Sequence, residues 1–236
     1  MRDLLIPAAD LLLGARCAGC GRPALTLCRT CGDEIRADPA VAWPTPCPRT
    51  LRWPTRVTPI AAGDNTDLLR RVLIAWKEGG NTRLTSVLGH LLASAVVDHA
   101  RAARPVVLVP VPTSRRSRRE RGCDLVDELA RAAARLLRQV GVDARVSQAL
   151  APARATVDQV GLGAAERANN LHGAFRLRTS RSLNSRDAIV VDDILTTGAT
   201  VSEAVRVLSA AGHRPIGIAV VAATPRIPKD IPEHHR

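Results

Sequence analysis

The stretch that most restricts the fold of this chain is AIVVDDILTTGATVSEAVRVLSAAG, from Ala188 to Gly212. Its opening AIVV, Ala188 to Val191, is a continuous apolar run rich in β-branched residues, the mark of a strand buried on both faces. Two acids follow, Asp192 and Asp193, then a turn rich in threonine and glycine. Thr200 and Glu203 form a Thr-x-x-Glu capping pattern, which starts a helix near Thr200 that runs to Ala211. A doubly buried strand that feeds a helix belongs to a parallel sheet with helices on both sides.

The chain on either side repeats the alternation. Asn65 to Glu78 and Arg83 to Arg104 read as helices, and PVVLVPVP, Pro105 to Pro112, as a buried strand. Asp124 to Val140 is an amphipathic helix stopped by Gly141; Val142 to Ser147 and Ile216 to Ala223 are further strands. The expected class is α/β, a doubly wound and mainly parallel sheet. Sheets of this kind bind ligands in the loops at the carboxyl ends of their strands, where the acids and the threonine turn fall.

That turn is suited to an anion. Thr196, Thr197, Gly198 and Ala199 precede Thr200 at a helix N-terminus, where unpaired amides and the helix dipole favour negative charge. Threonine hydroxyls add donors, and Gly198 lets the backbone come close to a phosphate. Asp192 and Asp193, ending the strand, would sit a sugar's width away and accept from ribose hydroxyls or help hold hydrated Mg²⁺. The plainer alternative is a capped turn beside two solvated acids.

Near the other end, CAGCGRPALTLCRTC carries Cys17, Cys20, Cys28 and Cys31. Two Cys-x-x-Cys pairs can aim four thiolates at one tetrahedral zinc, with Gly19, Gly21 and Pro23 supplying the turns. A redox pair or metal-free cysteines are the alternatives. Cys47 and Cys123 stand apart and read as packing residues. Pro7 and Asp10 interrupt the apolar N-terminal run, Arg16 precedes Cys17, and no stretch reaches the roughly 18 apolar residues of a membrane span. No membrane insertion and a cytoplasmic location with reduced thiols are expected. Aromatics are only 2% of residues, which leaves little for stacked recognition of bases. A formal charge of +12 suits anionic partners without separating nucleic acid from small phosphorylated ligands.

IVVDDILTTGAT resembles the phosphoribosyl-pyrophosphate (PRPP) motif of type I phosphoribosyltransferases. Taken in order with the cysteine module, VLVPVPTSRRSRRERG and RATVDQVGLGAAERANNLHGAF, the chain resembles the ComF family of competence or amidophosphoribosyltransferase-like proteins from about Cys17 to Thr224. Asp38 to Pro59, rich in Pro, Thr and Trp without a clear period, reads as a linker or an irregular wrap. It joins an N-terminal helix and zinc knuckle at residues 1–37 to a main domain at 60–225, which the resemblance makes phosphoribosyltransferase-like, and residues 226–236 read as a polar tail. The resemblance implies that Asp192 and Asp193 meet the PRPP ribose, with Mg²⁺, and that Thr196, Thr197, Gly198, Ala199 and Thr200 cradle the 5′-phosphate. Thr113, Ser114 and Arg115, after Pro112, would grip pyrophosphate; Gln159, Arg167 and Asn170 would belong to a hood over the acceptor. Lys77 in WKEGG matches a recurrent family lysine and is grouped with Asp192 and Asp193 as catalytic, its own task being less clear. Where the family reads Arg-Gly-aromatic-Asn, this chain has Arg121-Gly122-Cys123-Asp124.

The expected activity is Mg²⁺-dependent transfer of a phosphoribosyl group to a nitrogen acceptor. No Ser-His-Asp or Cys-His arrangement is evident, and His90, His99, His172 and His213 read as structural or exposed. The competing expectation is a non-catalytic accessory protein, a partner of single-stranded DNA or of the competence machinery, using the phosphate pocket and the arginines of Ser114 to Gly122. A ligand sensor without turnover is the third.

Overall fold

Valine-rich segments supply the three longest strands, and stiff β-branched side chains are why these segments extend rather than coil. The computed structural model describes residues 15–52, 56–78, 83–100, 104–113, 122–153, 172–178, 183 and 186–224. In chain order its elements are α1 (Arg29–Glu34), β1 (Ala40–Val41), a 3-10 turn (Arg49–Leu51), β2 (Thr58–Ala61), α2 (Asp67–Lys77) and α3 (Leu84–Val97). Then come β3 (Val106–Pro110), α4 (Leu125–Gln139), β4 (Ala144–Val146), β5 (Leu150–Pro152), β6 (Phe175–Leu177), β7 (Asp187–Leu195), α5 (Ala199–Ala210) and β8 (Gly217–Ala223).

The main sheet has the order β1-β2-β8-β7-β3-β4. All its pairings are parallel except β1 with β2, and β5 pairs with β6 as a separate antiparallel hairpin. Pairs such as Val109 with Val190 and Val190 with Ile218 fix the central register. Side chains alternate across it. Val106, Leu108, Ile189, Val191, Ala219 and Val221 join one apolar cluster with α2, α3 and α4, while Val107, Val109, Val190, Ile218 and Val220 join the other with α5 and the β5–β6 hairpin. The expected doubly wound α/β class is therefore the observed one.

The chain leaves β3 for β4 on one side, then returns to β7 and continues to β8 on the other. The carboxyl ends of β3 and β7 consequently flank the point where the winding reverses, which is where open α/β sheets leave a crevice.

Several boundaries differ from expectation. The strand at Ala188 runs on through both aspartates to Leu195, because Asp192, Ile194 and Leu195 stay in register with Val220, Ala222 and Ala223. The helix expected to reach Arg104 ends at Val97, after which His99 turns in and donates from Nε2 to the Ile218 carbonyl at 3.0 Å. Residues 38–59, read as a linker or an irregular wrap, hold β1 and the start of β2, which extend the sheet. Among the described residues, no helix is long and apolar enough to cross a membrane.

Candidate active site

Strand alternation places Asp193 on the same face of β7 as Ile189 and Val191, toward α2, and Asp192 on the other. Both are buried. Lys77, the last residue of α2, meets Asp193 there: Nζ lies 2.9 Å from Oδ2. The Asp193 backbone N–H donates to Asp192 Oδ1 at 2.8 Å, which ties the two acids into one unit. Burial pushes the Asp192 carboxyl up to about 8, with the neighbouring charge of Asp193 adding to the effect and Lys77 opposing it. Ionisation of Asp192 is thus disfavoured beside the Asp193–Lys77 ion pair. The donor set fits a hydrated divalent cation: two hard carboxylates adjoin, and one already accommodates a positive charge. Lys77, whose task the sequence left open, thus acquires a partner.

Beyond β7 the chain turns at Thr196 and Thr197 into α5. Gly198 is the N-cap, in the left-handed region at φ 74°. A β carbon there would also stand 2.8 Å from Cγ of Pro44, so conformation and space both require glycine. The Thr197 hydroxyl accepts from the Ala199 N–H at 3.4 Å, and Ser202 N–H closes the first helical bond to Gly198. The expected Thr200–Glu203 capping box does not form. The helix begins one residue earlier, at Ala199, and Glu203 serves elsewhere: buried, it accepts from the Gly173 N–H at 2.8 Å and pairs with Arg206 at 2.6 Å. That arrangement fastens the chain entering β6 to α5. Thr196 is exposed and Thr197 and Thr200 are half-buried, so the turn is open to solvent around a buried glycine.

At the end of β3, the Thr113 hydroxyl donates to Asp124 Oδ1 at 2.8 Å. Asp124 is the N-cap of α4 and also accepts from Asp127 N–H at 3.3 Å. The acid that stands in place of the family's amide thus does a capping residue's work, which aspartate and asparagine perform equally well. Cys123 packs at the margin of the α2–α4 cluster. The structure therefore brings Asp192, Asp193, Lys77, Thr196 to Thr200 and Thr113 to one edge of the sheet. Ser114, Arg115, Gln159, Arg167 and Asn170 lie outside the described residues, as do the other arginines of the basic run and the tail.

The four knuckle cysteines converge. Their sulfurs all lie within 4.8 Å of one another, and Cys20 and Cys28 are 3.6 Å apart. A tetrahedral ion with metal–sulfur bonds of about 2.3 Å spaces its ligands about 3.8 Å apart, so the cluster fits such an ion. Burial works against ionising Cys17, but N–H groups of Cys28, Cys20 and Gly19 outweigh it and hold the thiol at about 6. Burial and the neighbouring thiols push Cys31 up to about 12. Only a cation would let all four ionise together. The docking of this module was not foreseen from its spacing. Gly19 packs against Leu68 of α2, and Arg71 donates to the Gly19 carbonyl.

Residues 125–234 match the model of the phosphoribosyl transferase domain. The chain is 33% identical over 202 residues to the DNA utilization protein YhgH of Escherichia coli O157:H7, covering 81% of this chain and 83% of that protein. It is 26% identical over 209 residues to competence protein F of Haemophilus influenzae, covering 86% and 87%. Likeness to solved structures is faint. A hypoxanthine phosphoribosyltransferase from Trypanosoma cruzi aligns over 58% of this chain and 62% of its own, at 17% identity and a TM-score of 0.33.

Proposed function

The chain belongs to the ComF family of phosphoribosyltransferase-domain proteins, linked by its relatives to competence and DNA utilization, and from that membership we propose that it binds PRPP and transfers the phosphoribosyl group to a nitrogen acceptor. The observation that carries the reading is the buried acid pair with its lysine, set beside a threonine turn on a helix N-terminus at the reversal point of the sheet.

In this account Asp192 and Asp193 accept from the ribose hydroxyls. The amides and hydroxyls of Thr196 to Thr200 donate to the 5′-phosphate. Thr113, with Ser114 and Arg115, holds the pyrophosphate; Gln159, Arg167 and Asn170 close over the acceptor. The bond from C1 to the pyrophosphate oxygen breaks with its electron pair going to pyrophosphate, the acceptor nitrogen's lone pair forms the new bond to C1, and the nitrogen's surplus proton passes to solvent. Mg²⁺, held by Asp192 and Asp193 through water, would supply positive charge for the departing group. The protein's own part is to position the reactants and present donors, with no residue forming a covalent bond. Zinc in the four-cysteine knuckle is assigned no part in the chemistry itself, since all four ligands come from protein. Pyrophosphate release from PRPP against a panel of amines and bases tests turnover. Release with one acceptor supports transfer; binding without release under every acceptor reduces the protein to a PRPP sensor.

A second reading has its own support: relatives named for DNA utilization and competence, and five arginines between Ser114 and Gly122. Here the phosphate turn and the arginines hold single-stranded DNA without catalysis. Such binding would weaken steeply with salt. It would lose most of its salt slope when Arg115 to Arg121 are reversed in charge, and an unchanged slope would remove this mechanism.

A further inference from the structure

Arginine outnumbers lysine in this chain by thirty-two to two, and the lysines are Lys77 and Lys229. One of the two is the cation on Asp193. A lysine offers a compact point charge to a single carboxylate oxygen, without the width of a guanidinium fork. Because Lys77 is the terminal residue of α2, its reach to Asp193 depends on how that helix is held along and about its axis.

The Trp76 indole, next to Lys77, is buried and donates to Thr85 Oγ1 of α3 at 3.0 Å, and the four-cysteine knuckle holds the helix further back. Gly19 is buried, and a β carbon there would lie 2.5 Å from Leu68 Cδ1 and 2.8 Å from Cys31 Sγ. The knuckle backbone is thus pressed between a side chain of α2 and a ligand sulfur. Arg71 Nε donates to the Gly19 carbonyl, three residues along from Leu68 on the same helical face. Cys17 and Cys31 share one apolar cluster with Leu68, Leu69, Val72 and Leu73. From Arg71 to Lys77 the helix runs roughly 9 Å.

We propose that Arg71 is a positioning residue: by tying α2 to the metal knuckle at Gly19, it sets Lys77 on Asp193, so that filling of the four-cysteine site is felt at the acid pair. The consequence for ligand binding rests on the phosphoribosyl reading above; the positioning itself does not. A tight Gly19 contact transmits displacement because packed interiors yield little. Ordering of the knuckle by its metal therefore fixes the register of α2, and loss of the Arg71 tether frees its far end.

The two lysines make this measurable without any ligand. The full-length, zinc-loaded protein is treated with a water-soluble N-hydroxysuccinimide acetate, and acetylation of Lys77 is followed by mass spectrometry against Lys229 on the same chain. Asp193→Asn, which removes the partner, defines the unprotected rate. Arg71→Ala is expected to raise Lys77 labelling several-fold toward that rate with zinc content retained, and Arg71→Lys, which keeps a donor, to restore protection. Adding Arg71→Ala to Asp193→Asn should change nothing further. Wild-type labelling in folded, zinc-loaded Arg71→Ala, or additive effects in the double variant, would overturn the proposal. Should Arg71→Ala not fold, Gly19→Ala, which forces the knuckle off Leu68, carries the same two outcomes. PRPP titration of the same proteins keeps the readings apart: a wild type that ignores PRPP defeats the proposed function and leaves the labelling result standing.

Discussion

Asp192 carries the steepest pH dependence expected of any residue in the site. Burial first, then Asp193, raises its carboxyl from 3.8 to about 8 against the pull of Lys77. A raised acid stabilises the fold fully below its unfolded value and loses that contribution as pH climbs through its folded value. Stability from this group is thus present below pH 3.8, declines above it, and is gone beyond about pH 8. Asp192→Asn keeps the shape without the ionisation, and denaturant melts at pH 9 should find it more stable than wild type by about 1–3 kcal/mol. Binding of a cation-bearing ligand has the opposite preference, since it needs the carboxylate. Below pH 8, PRPP with Mg²⁺ should therefore bind with proton release, its affinity rising up to about tenfold per pH unit. Calorimetry in buffers of unequal ionisation enthalpy measures the released proton directly. Equal apparent enthalpies across buffers would mean that Asp192 is already ionised.

Among the elements, the turn from β7 into α5 is the most constrained. Gly198→Ala would meet both a left-handed φ and the ring of Pro44, and should cost about 1–3 kcal/mol in thermal or chemical unfolding. Its effect on a 5′-phosphate ligand should exceed its effect on zinc content, which metal analysis can compare. The strands themselves were legible because continuous β-branched runs leave few alternatives, as at Val106 to Val109 and Ala188 to Val191. Their ends were not. Aspartate disfavours strands, yet pairing with Val220 to Ala223 of β8 carries β7 past both acids. The Thr200–Glu203 pattern misled for a comparable reason: Gly198 already sets the start of the helix, and Glu203 gains more from Gly173 and Arg206 than from a cap. β1 is only two residues long and β2 carries Pro59, which lacks a ladder N–H, so neither stood out as a strand.

For the molecule as a whole, two motifs far apart in the chain turn out to share α2. The acids and the cysteines were each readable from spacing, since ligand chemistry is local. Their connection was not, because Arg71 with Gly19 and Lys77 with Asp193 are contacts across long separations that no local pattern encodes. Metal analysis should find about one zinc per chain. Cys31→Ser should lower that content and the melting temperature together, since its sulfur lies in the apolar cluster shared with α2; a fully folded protein with no metal would remove the structural account of the knuckle.

The central claim is that the carboxyl edge grips a phosphoribosyl ligand by its diol and its 5′-phosphate. Titration calorimetry with PRPP, with and without Mg²⁺, tests it on wild type and on the Asp192→Asn/Asp193→Asn double variant. Saturable binding by wild type, strengthened by Mg²⁺ and lost in the double variant, is the predicted result. No binding by wild type, or equal binding by both proteins, would contradict it.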